Sequence, residues 1–169
     1  MLPCSNYTGT IDHISAAVPT LLIFTFFVFG LTFPRALPGG SVYYFCAMLI
    51  VIFVVQILKN VFGILTKDSS RTQRPKKPIK GRGRGMPSSH IALLTFVSVT
   101  FAFQWFETRQ PSILIVSSLW IITVIVALSR CHSRRHSSLQ VCAGGITGFI
   151  FALVYTYMIP TKILSLSPT

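Results

Sequence analysis

Three separated groups of polar residues interrupt a chain made mostly of apolar runs. The first is Lys67, six residues, then Arg74-Pro75. The second is Gly85-Met86-Pro87-Ser88-Ser89-His90, and the third is Ser129-Arg130, five residues, His136, three residues, Gln140. Lysine supplies a point charge, and arginine a planar fork that matches phosphate oxygens. Ser88 or Ser89 can cap a helix whose free N–H groups bind the same oxygens. Imidazole titrates near neutral pH, so His90 in a first helical turn can pass a proton to a leaving oxygen. If the last apolar run starts its helix near His136, then Gln140 lies one turn on and on the same face. Its side-chain oxygen would accept the Nδ1 proton of His136 and leave Nε2 free to attack phosphorus, the orienting role of the Asp in a Ser-His-Asp triad. His132 competes for this role, but the residue four places on is His136 itself. Taken singly, each group also has a plain reading: a basic loop on lipid headgroups, a helix cap beside an interfacial His, and a basic interfacial loop.

The elements that must position these groups are membrane spans. The 169-residue chain is 51% hydrophobic and 11% charged, whereas soluble domains carry about 25% charged residues. Its length suits one compact transmembrane domain over residues 1–169. A helical span needs about 20 predominantly apolar residues. Five stretches meet or approach that length, roughly 17–33, 42–65, 89–106, 111–128 and 139–159. The expected fold is therefore all-α, a polytopic transmembrane bundle with its active site at the membrane–water interface. No basic segment precedes the first stretch, so it does not read as a cleavable signal peptide. Pro34 and Pro38-Gly39-Gly40 break the chain after it, and Gln110-Pro111 turns the chain between the third and fourth. With five spans, the loops after the second and fourth share one face, and all three polar groups lie there.

Charge narrows the function. Lys and Arg number 15 against 3 Asp and Glu, a net charge of +12. Such a chain meets nucleic acid, an anionic membrane or a phosphorylated ligand. Nucleic acid is set aside because the basic residues sit between membrane-length apolar runs. Asp12, Asp68 and Glu107 are the only carboxylates, too few for the oxygen-rich sites of hard cations, so neither a metal nor another cofactor is expected. Cys4, Cys46, Cys131 and Cys142 lack zinc spacing and suggest no disulfide framework. Cys131 is read as structural, since no Arg follows it as a cysteine phosphatase loop requires. Gly144 and Gly148 have the small-xxx-small spacing of closely packed membrane helices.

Together the three groups resemble the type 2 phosphatidic acid phosphatase superfamily, whose pattern is K-x6-R-P, then P-S-G-H, then S-R-x5-H-x3-D. The resemblance covers roughly residues 50–155. Ser89 stands where the pattern has Gly, and Gln140 where it has Asp. Both departures, with Gly85-Met86, look like the dolichyl-diphosphatase branch, which reads G-M-P-S-S-H and ends S-R-x5-H-x3-Q. Two further departures are the basic stretch Cys131 to Arg135, usually aromatic, and five expected spans against the usual six.

The resemblance implies a metal-independent, two-step hydrolysis of a lipid phosphate or diphosphate, most simply dolichyl or polyisoprenyl diphosphate. Lys67, Arg74 and Arg130 would hold the nonbridging oxygens, and Ser88, Ser89 and nearby amides would complete the cradle. His136 would be the nucleophile, His90 the acid and then the base, and Gln140 the group that orients His136. The partners implied are the lipid substrate and the surrounding membrane lipids. Two alternatives stand beside this: a phosphatase for phosphatidic acid or another lipid monophosphate, and a noncatalytic protein that binds anionic lipid. Twelve of the fifteen basic residues, Lys59 among them, fall on the active-site face. The positive-inside rule would send that face to the cytoplasm. The resemblance implies the lumen of the endoplasmic reticulum, and the lumenal side is the expectation adopted.

Overall fold

The computed structural model describes residues 17, 21, 23–25, 28, 41–65, 86–108, 112–132 and 135–158. Residues 17, 21, 23–25 and 28 are helical, within the first expected span. Four long helices follow: α1 (Ser41–Leu65), α2 (Ser89–Thr108), α3 (Ile113–His132) and α4 (Ser138–Met158). Each is long and apolar enough to cross a membrane. The chain is a multi-pass membrane protein of the all-α class, and no strand occurs among the described residues. Helices are the expected solution, because a backbone in lipid must satisfy its own hydrogen bonds.

Helix α3 departs from the expected span. The apolar run ends near residue 128, but the helix continues to His132 and carries Ser129 and Arg130, expected in a loop, into its last turns. The reason lies in how the helix closes. The carbonyl of Arg130 accepts from the backbone N–H of Arg135 at 3.1 Å and of His136 at 3.2 Å. These bonds satisfy a carbonyl left open at the helix end, whatever the polarity of the side chains.

Helix α2 forms the centre. Every residue from Ile91 to Phe101 is buried, so α2 is covered on all sides by its neighbours. The outer helices bury single stripes. On α1 the stripe is Tyr44, Met48, Val51, Val55, Lys59 and Gly63; on α3 it is Val116, Leu119, Thr123, Val126 and Arg130. On α4 it is Gln140, Gly144, Gly148 and Ala152. These three- and four-residue steps follow the helical period. The remaining faces expose large apolar side chains such as Leu114, Ile121, Ile125, Ile146 and Ile150, as a lipid-facing surface requires.

Within lipid, association between helices rests on close packing and interhelical hydrogen bonds. Thr100 Oγ1 donates to its own helix at the Phe96 carbonyl, 2.9 Å away, so the Tyr44 hydroxyl donates to Thr100 at 2.8 Å and ties α1 to α2. By the same reasoning Thr123 donates to the Leu119 carbonyl, and Ser98 donates to Thr123 at 2.9 Å, tying α2 to α3. Such bonds contribute roughly 0.6–2 kcal/mol each. The rings of Tyr44 and Phe96 each meet Tyr155 edge-on at 5.8 and 5.6 Å, which joins α4 to the same cluster.

The tightest contact joins α2 to α4. A Cβ placed on Gly144 would lie 2.5 Å from the Ser88 carbonyl oxygen, and one on Gly148 would collide with the Ala92 carbonyl. Between them, a Cβ on Gly145 would meet only Thr95 Oγ1 at 3.9 Å and Ile91 Cγ2 at 4.0 Å. The small-xxx-small spacing thus serves helix packing, with Gly144 and Gly148 facing α2. Gly148→Ala should therefore destabilise the bundle by about 1–3 kcal/mol through overpacking. Gly145→Ala should be neutral or slightly stabilising, because removing a helical glycine recovers about 0.5–1 kcal/mol. Thermal unfolding of the two variants in detergent checks the contrast, and equal midpoints would refute it.

Candidate active site

The start of α4 is built by reciprocal capping. Ser137 precedes the helix, and its Oγ accepts from the backbone N–H of Gln140 at 3.3 Å. Gln140 returns the contact, its Oε1 accepting from the Ser137 N–H at 3.3 Å. This is a capping box, with Gln three residues after the cap. The same Oε1 lies 3.2 Å from Nδ1 of His136. A backbone N–H can only donate, so the atom facing Ser137 is the amide oxygen, and Nδ1 of His136 must carry the proton. In the neutral ring, Nε2 is then the atom that carries the lone pair.

The His136–Gln140 pair expected from spacing is present, but its geometry differs from the expected one. His136 lies before the cap rather than on the helix, so its ring reaches Gln140 across the capping box and not along a shared helical face. Both side chains are withdrawn from solvent, with His136 buried and Gln140 fully so. His132, the competitor, is exposed on the last turn of α3.

Helix α2 begins beside this structure. The chain enters it through the cis Met86–Pro87 peptide, and the Ser88 N–H donates to the Gln140 carbonyl at 3.1 Å. That bond sets the starts of α2 and α4 side by side. Ser88 is fully buried, yet its Oγ has no hydrogen-bond partner among the described residues. Ser89 accepts at Oγ from Nζ of Lys59 at 3.1 Å. His90 follows in the first turn, half-buried. Arg130 is buried in the last turn of α3, and its carbonyl holds the His136 N–H.

Six of the eight expected site residues therefore gather at one end of the bundle: Ser88, Ser89 and His90 at the start of α2, Arg130 at the end of α3, and His136 and Gln140 around the start of α4. Lys67 and Arg74 lie outside the described residues. Lys59 was placed on this face by topology but given no role. Its position on the buried stripe of α1, four residues after Val55, is the signal that could have singled it out.

The electrostatics favour an anion. Lys59 and Arg130 are both buried here, and two helix N-termini add their partial positive charge. Among the described residues the one carboxylate is Glu107, exposed at the other end of α2. The described charges at this end are positive, and positive charge against apolar walls concentrates ligands of the opposite sign.

Comparison with known proteins gives a family and three distant relatives. The family described as the PAP2 superfamily matches residues 40–164. Over 105 residues, 61% of the chain, the sequence is 28% identical to a lipid A 4'-phosphatase of Helicobacter pylori, covering 49% of that protein. It is 26% identical to the chloroplastic lipid phosphate phosphatase epsilon 1 of Arabidopsis thaliana over 60% of the chain and 37% of the relative. Dolichyldiphosphatase 1 of Dictyostelium discoideum is 26% identical over 62% of the chain and 49% of its own length. The matched segment thus spans half or less of these curated relatives. No solved structure matches the chain.

The geometry fixes a tautomer, and nitrogen NMR of the histidine-labelled protein can read it. In its neutral form His136 should show a protonated Nδ1 and an unprotonated Nε2. Gln140→Leu, which removes the acceptor, should mix the two tautomers, while Gln140→Glu should retain Nδ1–H. An unchanged His136 spectrum in Gln140→Leu would show that the amide does not set the ring.

Proposed function

Because the chain belongs to the PAP2 superfamily, we propose that it hydrolyses a lipid phosphate or diphosphate through a phosphohistidine, without a metal. The observation that carries this reading is the buried imidazole of His136, held at Nδ1 at 3.2 Å by Gln140, whose carbonyl accepts from the Ser88 N–H at the start of α2. In the first step the Nε2 lone pair attacks phosphorus, and the bond from phosphorus to the leaving oxygen breaks. His90 gives that oxygen a proton. In the second step His90 takes a proton from water as its oxygen attacks phosphorus, and the P–N bond breaks to release orthophosphate and restore His136. Gln140 keeps Nδ1 protonated throughout. Lys67, Arg74 and Arg130 offset charge on the nonbridging oxygens, and Ser88 Oγ and the neighbouring amides donate to them. The chain's three carboxylates favour cations over a coordinated metal for this task.

The substrate class rests on four residues. Ser89 and Gln140 replace the superfamily's Gly and Asp, and together with Gly85-Met86 they favour a dolichyl or polyisoprenyl diphosphate, cleaved to the monophosphate and phosphate. The names of the relatives extend to lipid A and lipid phosphates, so a lipid monophosphate is the second reading, and a panel of defined lipids decides between them. His136→Ala should lower phosphate release by on the order of a thousandfold or more and abolish the acid-labile phosphoprotein trapped from labelled substrate. A chelator should leave the wild-type rate within about twofold. Retained function in His136→Ala would instead favour a noncatalytic protein that binds anionic lipid.

The same reading puts the active site in the lumen of the endoplasmic reticulum. A glycosylation acceptor inserted between residues 66 and 85 should then gain a glycan in a eukaryotic cell, and an acceptor placed in 109–111 should not. The reverse pattern would assign the site to the cytoplasm.

A further inference from the structure

Lys59 lies on a stripe of α1 that otherwise buries Tyr44, Met48, Val51, Val55 and Gly63. An ammonium is costly at such a position, where an apolar side chain of similar size would pack without desolvation. Its Nζ is nonetheless held at the start of α2, 3.1 Å from Ser89 Oγ. The adjacent Ser88 is fully buried, and its Oγ lacks a hydrogen-bond partner among the described residues. A single anionic group seated at this turn would serve both side chains, accepting from the hydroxyl and facing the ammonium. Phosphate oxygens suit the task, since they carry the charge opposite to the ammonium, which the neutral hydroxyl of Ser89 does not.

On the phosphoryl-transfer reading above, we propose that Lys59 is a phosphate-binding residue of the site, holding a nonbridging oxygen of the transferred group together with Ser88 Oγ. The Lys-x6-Arg-Pro spacing selects Lys67 and passes over Lys59, eight residues earlier. Burial and contact with the Ser88-Ser89-His90 turn are what single out Lys59. In the resting protein Ser89 is among the groups that keep the ammonium in place. When substrate arrives, the ammonium reaches the phosphoryl oxygens without leaving the helix that carries it.

The test uses the full chain in detergent, with orthovanadate as a mimic of the five-coordinate phosphoryl group. Binding is read by calorimetry, and lipid diphosphate and monophosphate turnover by phosphate release. Lys59→Met should weaken orthovanadate at least about tenfold and lower kcat/KM about a hundredfold, while the thermal midpoint stays at or above that of the wild type. Lys59→Arg, which keeps the charge, should recover much of both. Wild-type orthovanadate affinity in Lys59→Met overturns the assignment. So does equal loss in the Met and Arg variants with a lowered thermal midpoint, the mark of a purely structural lysine. If the wild type binds orthovanadate through Lys59 but cleaves neither lipid class, the anion site stands and the catalytic reading fails.

Discussion

The approach of α4 to α2 is the constraint on which the site depends. Backbone meets backbone at Gly144 and Gly148, with no side chain between α4 and the carbonyls of Ser88 and Ala92. Only at this separation can the Ser88 N–H reach the Gln140 carbonyl at 3.1 Å. One hydrogen bond then joins the two helix starts, one followed by His90 and the other preceded by His136. In lipid there is no hydrophobic drive between helices, so the glycines and a few hydroxyl bonds must set this register. The packing that stabilises the bundle and the geometry that serves the site are the same contact.

Much of this was legible in sequence, and the boundary is instructive. Four of the expected apolar stretches match α1 to α4, because a run of about 20 apolar residues has few other uses. That Ser88, Ser89, His90, Arg130, His136 and Gln140 lie at one end of the bundle was readable from the order of the spans. Gly144 and Gly148 were readable by their interval. What sequence missed depends on backbone closure and on three-dimensional neighbours. The helix through Arg130 continues past the apolar run because the His136 and Arg135 N–H groups close it, and hydropathy carries no trace of such a bond. Lys59 escaped notice because a lysine near a membrane edge is usually a headgroup contact, and only its burial distinguishes it.

The relation between His136 and Gln140 shows a second limit of pattern reading. An interval of four residues suggests one helical face, and the contact it suggests does form. Yet His136 stands outside α4, and the pair meets through the capping box of Ser137 and Gln140. One amide therefore closes the helix start and fixes the imidazole tautomer. The two tasks use the same oxygen, so any residue at 140 must satisfy both the cap and the ring. Glutamine and glutamate have the length that a capping box uses at this position.

The neutral amide at Gln140 also has an electrostatic consequence. Under the proposed mechanism, a carboxylate there would stabilise the imidazolium that develops as His136 attacks, but it would place negative charge beside an anionic phosphoryl group. Glutamine forgoes the first effect and avoids the second. Under the proposed mechanism, stabilisation must then come from the phosphate side, through cations and N–H donors around the oxygens. Arg130 and Lys59 are buried at this end of the bundle, where low dielectric strengthens their attraction for an anion. An anionic substrate with more than one phosphate gains most from such an excess of positive charge, and the lipid it carries can remain in the bilayer that α1, α3 and α4 face. On this reading two helix starts, a helix end and one buried lysine would form the anion site, with the starts of α2 and α4 brought together by the glycine contact between those helices.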